Sequence, residues 1–134
     1  NLAVNGPITL LADTKLTYEN QCNINGTITA TGAGKNLELG QPGLSEPRYN
    51  LTVSGSINLG TGSLTVSSVL TGGQVTGNTL ILNAANTYSG GTVLTNYAVL
   101  KLLNAGALGS GGMTLYPTTG LDLFGNSISI PWLA

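Results

Sequence analysis

The sequence predicts an all-β fold in which short parallel strands stack as a solenoid, and three observations lead to this prediction. Apolar and polar residues alternate in short bursts throughout the chain. Gly, Asn, Ser or Pro separates one burst from the next, and no run shows the apolar spacing of an amphipathic helix. Only 7% of the 134 residues are charged, whereas 41% are hydrophobic. The chain therefore has enough apolar material for one continuous core, and we expect a single domain over residues 1–134.

Period-two alternation places one side of each burst in the core and the other in water. The bursts include Ile8-Leu10, Leu16-Tyr18, Leu37-Leu39, Leu51-Val53, Ile57-Leu59, Leu64-Val66, Leu80-Leu82, Leu100-Leu102, Met113-Leu115, Leu121-Leu123 and Ile128-Ile130. Each is far shorter than an average helix, so we predict essentially no helix beyond a short capping turn.

The spacing of the bursts favours a solenoid over a sandwich. Leu51, Ile57, Leu64 and Val69 follow one another at intervals of six, seven and five residues. Strands of antiparallel sandwiches usually recur about every 8–12 residues, whereas triplets of shorter strands indicate coils of roughly 20 residues. The chain would then form about six to seven coils. An antiparallel β-sandwich remains the alternative, because it also tolerates glycine-rich turns.

The low charge supports the solenoid and excludes two classes of partner. In a parallel solenoid, equivalent side chains of neighbouring coils lie about 4.8 Å apart, and like charges at that distance repel. The four basic residues, Lys15, Lys35, Arg48 and Lys101, are scattered along the chain. They form no basic patch, so we expect no nucleic-acid partner. No apolar run approaches the length of a transmembrane helix, so we expect no membrane insertion by this chain.

One segment carries a family resemblance. Residues 79–115 read TLILNAANTYSGGTVLTNYAVLKLLNAGALGSGGMTL, and this segment resembles the passenger-associated repeat of bacterial autotransporters. Two turn motifs carry the match, NTYSGGT at residues 86–92 and NAGALG at residues 104–109. Ala98 departs from the pattern, since the family usually has glycine there, and we expect a less tight corner. The repeat-turn residues that we expect to be structural are Asn86, Tyr88, Gly90, Gly91, Thr92, Gly106 and Gly109.

The resemblance implies a right-handed parallel β-helix that is exported and displayed outside a bacterial cell. In that family the repeat is scaffold for the passenger and implies no chemistry. The chain starts at Asn1 rather than Met, so we expect a processed chain or a piece of a longer passenger. The segment QPGLSEPRY at residues 41–49 interrupts the strand rhythm with two prolines, and we expect it to protrude as a loop.

The residues themselves offer little for catalysis. The chain has no histidine, and its five carboxylates suggest only two candidate pairs, Asp13 with Glu19 and Glu38 with Glu46. We expect neither to be catalytic, and we expect no enzyme activity, no cofactor and no metal site. Cys22 is the only cysteine, which excludes an internal disulfide, and we expect it to be a small buried hydrophobe.

Both ends of the predicted solenoid are apolar, whereas natural solenoids usually carry polar caps. We therefore expect a structural protein that associates with itself end to end, as a head-to-tail homo-oligomer or fibre at the cell surface or as an adhesin stalk. The residues expected at the contact are Leu2, Val4, Ile8, Phe124, Ile128, Ile130 and Trp132. The alternative is an adhesin passenger fragment that binds surface glycan through Tyr49, Tyr97 and Tyr116. Corner packing of these tyrosines is the competing interpretation.

Overall fold

A computed structural model of the chain describes residues 2–18, 20–41, 50–68 and 79–134. These residues form fourteen strands and no helix, so none of them form a helix that could cross a membrane. The strands are β1 (Leu2–Val4), β2 (Ile8–Leu10), β3 (Thr14–Thr17), β4 (Cys22–Ile24), β5 (Ile28–Ala30), β6 (Leu37–Gln41), β7 (Leu51–Val53), β8 (Ile57–Asn58), β9 (Leu64–Ser68), β10 (Thr79–Leu82), β11 (Thr92–Thr95), β12 (Val99–Leu102), β13 (Met113–Leu115) and β14 (Gly120–Asp122).

The strands form three sheets, and every pairing between named strands is parallel. Sheet I has the order β1-β4-β7-β10-β12-β14, sheet II the order β2-β5-β8, and sheet III the order β3-β6-β9-β11-β13. The chain contributes one strand to sheet I, one to sheet II and one to sheet III, as β1, β2 and β3 do. It then returns to sheet I, where the next strand pairs with the previous one, as β4 pairs with β1. We call each such succession a pass. The prediction of an all-β chain with parallel strands in register is confirmed.

The passes differ in length. In sheet I, Leu2 pairs with Cys22, 20 positions later, and Leu80 pairs with Leu100 at the same interval. Cys22 pairs with Leu51, and Leu51 with Leu80, at intervals of 29 positions. The uniform spacing of roughly 20 residues is therefore wrong for the two middle passes. Those two passes contain residues 42–49 and 69–78, which lie outside the described residues. The loop expected over residues 41–49 therefore lies almost entirely outside them as well.

The inward side chains form columns that run from pass to pass. In sheet I, one column consists of Leu2, Cys22, Leu51, Leu80, Leu100 and Leu121. Its middle members are buried, whereas Leu2 at one edge is 58% exposed. The apolar alternation in the sequence thus corresponds to the core, as predicted. Burial falls only at the outermost strands, where the column has no further neighbour.

At the corners between sheets I and II, the backbone of the preceding pass lies too close to leave room for a side chain, and this explains the glycines there. A Cβ atom at Gly26 would lie 2.0 Å from the carbonyl oxygen of Gly6, and one at Gly55 would lie 2.0 Å from that of Gly26. Neither residue has a positive φ, so their need for glycine comes from the backbone stacked above them. Gly60, by contrast, has φ +60° and serves as a bend in the expected way.

Candidate functional site

The repeat turn is built around the buried side chain of Asn86. Its Oδ1 accepts a 2.8 Å hydrogen bond from the backbone N–H of Ile57, in the preceding pass. Its Nδ2 donates a 2.6 Å hydrogen bond to the backbone carbonyl of Ala107, in the following pass. Sheet II has no strand in either the fourth or the fifth pass. The Asn86 side chain therefore takes the place of ladder hydrogen bonds across three passes.

Tyr88 and Thr92 form a buried polar pair beside Asn86. Their hydroxyl oxygens lie 2.7 Å apart, and both residues are almost fully buried. Burial raises the pKa of Tyr88 to about 12, and the hydrogen bond between Tyr88 and Thr92 acts in the opposite direction. The Tyr88 backbone forms a parallel bridge with Gly60. Tyr88 is thus a packing residue of the turn, as the sequence predicts, and its ring lies in the core.

The turn glycines are required by neighbouring backbone. A Cβ atom at Gly109, whose φ is +64°, would lie 2.3 Å from the carbonyl oxygen of Tyr88. One at Gly90 would lie 2.5 Å from the Gly62 carbonyl, and Gly91 has φ +92°. Gly106 accepts a hydrogen bond from the Asn86 N–H through its carbonyl oxygen. Among these turn glycines, Gly109 of the next pass lies against the Tyr88 ring, since its Cβ would be 3.2 Å from Tyr88 Cδ2, whereas Gly90 and Gly91 face the backbone of Gly62 and Gly112.

The corner at Ala98 bends without a glycine. Asn96 and Tyr97 have positive φ values of 52° and 60°, whereas Ala98 is buried and is not among the residues with positive φ. Two successive residues with positive φ define the same kind of tight reversal that Asn-Gly produces. The departure from the repeat pattern at Ala98 is thus accommodated one and two positions earlier.

The first pass carries an apolar cavity of about 450 Å³. Three of the expected self-association residues, Leu2, Val4 and Ile8, line it. Cys22 and Tyr18 also line the cavity. Burial raises the pKa of the Cys22 thiol, and it raises the pKa of the Tyr18 hydroxyl to about 12. Cys22 is buried, in agreement with the sequence-based expectation. The structure therefore brings these predicted contact residues together around one opening.

The other predicted contact residues lie at the opposite edge of the sheets. Ile128 and Ile130 are partly buried against the core, and Phe124 is 60% exposed with Lys101 Nζ 4.0 Å from its ring centroid. Residues 132–134 extend sheet III, because Leu133 bridges Met113 in parallel. The ring of Trp132 covers Gly112 of its own chain. Trp132 thus helps to close the last pass and still exposes about half of its surface.

No family model, curated protein or solved structure matches this chain. The resemblance to the autotransporter passenger repeat therefore rests on the two turn motifs at residues 86–92 and 104–109. Its expectations about export, localisation and role stay predictions.

The carboxylates that the structure describes have polar partners. Glu38 Oε1 accepts a 2.6 Å hydrogen bond from the Ser67 hydroxyl and lies 2.9 Å from Lys15 Nζ. The Ser67 hydrogen bond, followed by Lys15, lowers the pKa of Glu38. Asp13 accepts hydrogen bonds from the backbone N–H and side chain of Asn36, one pass later. Asp13 and Glu38 therefore fasten neighbouring passes to one another, whereas Asp122 accepts a hydrogen bond from the Phe124 N–H of its own pass.

Neither of the two carboxylate pairs considered from the sequence is fully described, since Glu19 of one pair and Glu46 of the other lie outside the described residues. Within the described ranges, no three residues of the Asp, Glu, Cys and His types gather in a group that could hold a metal ion. The sequence analysis missed the cluster of Lys15, Glu38 and Ser67. Lys15 and Glu38 are 23 positions apart, and Glu38 and Ser67 are 29 positions apart, so unequal pass lengths hide such pairings in the sequence.

Two of the three tyrosines considered for glycan contact occupy neighbouring corners. Tyr97 and Tyr116 are exposed, and both follow strands of sheet III whose register pairs Leu94 with Leu115. Tyr49 lies outside the described residues. Tyr97 lies three residues after Leu94 and Tyr116 one residue after Leu115, so the two tyrosines follow neighbouring strands of sheet III with an offset of two positions.

Proposed function

We propose that this chain is a non-enzymatic structural protein, a right-handed parallel β-helix that is displayed outside a bacterial cell and associates with itself end to end. The succession of sheets I, II and III in the first three passes, and of sheets I and III in the later ones, supports the helix, and the six strands of sheet I support the expected six to seven coils. The repeat-like turns at residues 86–92 and 104–109 support export and a scaffold role within a surface fibre or adhesin stalk.

The observation that carries the end-to-end association is where the exposed apolar side chains lie. Seven large apolar or aromatic residues are exposed in the described chain, and five of them belong to the first or last pass. Those five are Leu2, Leu11, Phe124, Trp132 and Leu133. A surface region where several large apolar side chains are exposed together usually marks a contact surface. Edge strands there also offer backbone groups to another chain.

The experiment is a concentration series of the purified chain. Light scattering after size exclusion should show mass growing with concentration, and negative-stain electron microscopy should show elongated particles of uniform width. A uniform monomer over the whole series, up to millimolar concentration, would contradict the association. Crystallography of any assembled form would test the handedness of the helix independently.

A second candidate function, binding of surface glycan, is favoured by the exposed pair Tyr97 and Tyr116. Aromatic rings offer flat apolar faces with a polar tip, and this combination suits partly wet contacts. A glycan array should then show a signal that is lost when both tyrosines are replaced by alanine. Tyr88→Phe provides a control at a buried ring. The absence of a signal on the array would contradict glycan binding, and the structural role would then be the one remaining proposed function.

A further inference from the structure

We propose that the chain modifies itself at the corner that follows β1. The side chain of Asn5 reacts there with the backbone nitrogen of Gly6, loses ammonia and becomes aspartate or isoaspartate, and the side chain of Asn25 promotes this step. The inference goes beyond the proposed function and concerns a single copy of the chain. Two stacked Asn-Gly pairs and one hydrogen bond between their side chains carry it.

The sequence contains two Asn-Gly pairs, Asn5-Gly6 and Asn25-Gly26. Val4 pairs with Ile24 in sheet I, so the two pairs occupy the same place at the corner in successive passes. An asparagine that precedes glycine is prone to deamidation, because glycine has no side chain to shield its backbone nitrogen. The fold therefore places two reactive pairs directly beside each other.

The backbone nitrogen of the corner glycine is weakly held. The Gly26 N–H donates to the Val4 carbonyl over 3.3 Å, and the Gly55 N–H donates to the Ile24 carbonyl over the same distance. Both distances are longer than those of ordinary N–H···O hydrogen bonds. We therefore expect the glycine nitrogen at this corner to be available for reaction in either pass, and the two pairs must be distinguished by their side chains.

One hydrogen bond distinguishes the two asparagine side chains. Asn25 Nδ2 donates to Asn5 Oδ1 over 2.8 Å, and both residues are exposed. The bond draws electron density from the carboxamide carbon of Asn5. It also stabilises the negative charge that develops on Oδ1 during attack, as the donors of an oxyanion hole do. In Asn25 the same bond holds Nδ2, the group that would have to leave. Asn5 is thus activated and Asn25 is restrained.

The reaction needs only water as a co-reactant. The Gly6 nitrogen attacks the carboxamide carbon of Asn5, its proton passes to solvent, and the new C–N bond closes a cyclic succinimide. The bond from that carbon to Nδ2 breaks, and the nitrogen takes up a proton from solvent and leaves as ammonia. Water then opens the ring at one of its two carbonyl groups, which gives aspartate or isoaspartate. Nothing is oxidised or reduced.

The product limits the reaction to one of the two pairs. The new carboxylate at position 5 accepts the hydrogen bond from Asn25 Nδ2, and a bond to a carboxylate is stronger than a bond to an amide. Conversion of Asn25 as well would place two carboxylates side by side at the place where the amides now lie 2.8 Å apart, and like charges repel there. We therefore expect one new negative charge, added to the net charge of −1.

The test follows the purified, folded chain during incubation at mildly alkaline pH. Peptide mapping by mass spectrometry should show Asn5 converting about fivefold faster than Asn25, the effect of one net hydrogen bond. The two pairs together should level off near one conversion per chain. In concentrated urea the corner is unfolded, and both pairs should react at similar rates because both are Asn-Gly.

Variants separate assistance by Asn25 from a merely structural link. Asn25→Asp keeps the size of the side chain and removes the donor, so conversion of Asn5 should slow about fivefold. A structural link predicts faster conversion, because loss of the bond loosens the corner. Asn83→Ala, at the corner after β10, is the matched control and should leave the rate unchanged. Gly6→Ala should slow conversion, since its methyl group shields the attacking nitrogen.

Several results would overturn the inference. Conversion of Asn25 at the same rate as Asn5 or faster in the folded chain is one, and an unchanged or higher rate at Asn5 in Asn25→Asp is another. A preference for Asn5 that persists in urea would assign it to local sequence, and two conversions per chain would refute the limit to one. If Asn25→Asp loses its β-sheet circular dichroism signal, the comparison of folded and unfolded unmodified chain decides. All these readouts are independent of assembly.

Discussion

The Asn86 side-chain amide donates a 2.6 Å hydrogen bond to the carbonyl of Ala107, a residue of the following pass. The same side chain accepts from Ile57 of the preceding pass. One buried side chain therefore fastens three passes together at the place where sheet II has run out of strands. Substitution of Asn86 should therefore destabilise the fold strongly.

Asn86→Ala should lower the free energy of unfolding by about 2–4 kcal/mol, since it leaves a buried N–H and a buried carbonyl without partners. Urea denaturation followed by circular dichroism measures the loss. Asn5→Ala is the control, because Asn5 is exposed and accepts one hydrogen bond from Asn25. A smaller loss at Asn86 than at Asn5 would contradict this account of the turn.

Tyr88 should make the protein sensitive to alkaline pH. Its pKa in the folded state is raised to about 12 from the ordinary value of 10.0, so its contribution to stability is complete below pH 10 and disappears as pH rises through 12. At pH 11 the free energy of unfolding should have fallen by roughly 1 kcal/mol through this group.

Urea unfolding at pH 9 and pH 11 measures that fall, and Tyr88→Phe should remove its share. Tyr18, whose pKa is also raised to about 12, should keep a similar share of the pH dependence in that variant. An equal fall in the unmodified chain and in Tyr88→Phe would show that Tyr88 does not carry the effect.

Gly55→Ala should destabilise the fold by about 1–3 kcal/mol, because the new methyl group meets backbone that cannot move aside without shifting a whole pass. Gly6→Ala, at the equivalent corner of the first pass, has open space and should change the unfolding free energy of the monomer by no more than about 0.5 kcal/mol. Thermal and urea unfolding at low protein concentration compare the two. Equal effects at both corners would refute the explanation by close approach.

The pKa of Glu38 should depend more on Ser67 than on Lys15, since the Ser67 hydrogen bond is its largest cause and Lys15 is half-exposed. Its lowered pKa contributes stability above the ordinary value of 4.5, and this is lost as pH falls through the folded-state value. Carboxyl carbon titration by NMR should show a larger upward shift in Ser67→Ala than in Lys15→Met. The reverse order would give the main role to the ion pair.

Gly112→Ala should displace the Trp132 ring, whose atoms lie 2.1 to 2.6 Å from where the Cβ would be. Trp132 is the only tryptophan, so its emission reports the change directly. We expect a shift to longer wavelength with little change in the unfolding free energy, because the ring belongs to an exposed side chain. Gly6→Ala should leave the emission of the monomer unchanged.

Several elements could be predicted from the sequence because they depend on local alternation. The strand at Leu64–Ser68 follows from side chains that are close in the chain. The cluster of Lys15, Glu38 and Ser67 could not be predicted in this way. It depends on which residues become neighbours across passes of unequal length, and no local pattern contains that information.

The sequence by itself determined that strands and tight corners would form, because alternation, glycine, asparagine and low charge act over a few residues. The resemblance at residues 86–92 led us to expect Asn86 and Tyr88 in a structural turn. Only the tertiary structure decided that Gly6 faces open space while Gly26 and Gly55 do not. The physical reason is that a parallel ladder joins residues 20 to 29 positions apart, and the register is set by packing of the complete columns.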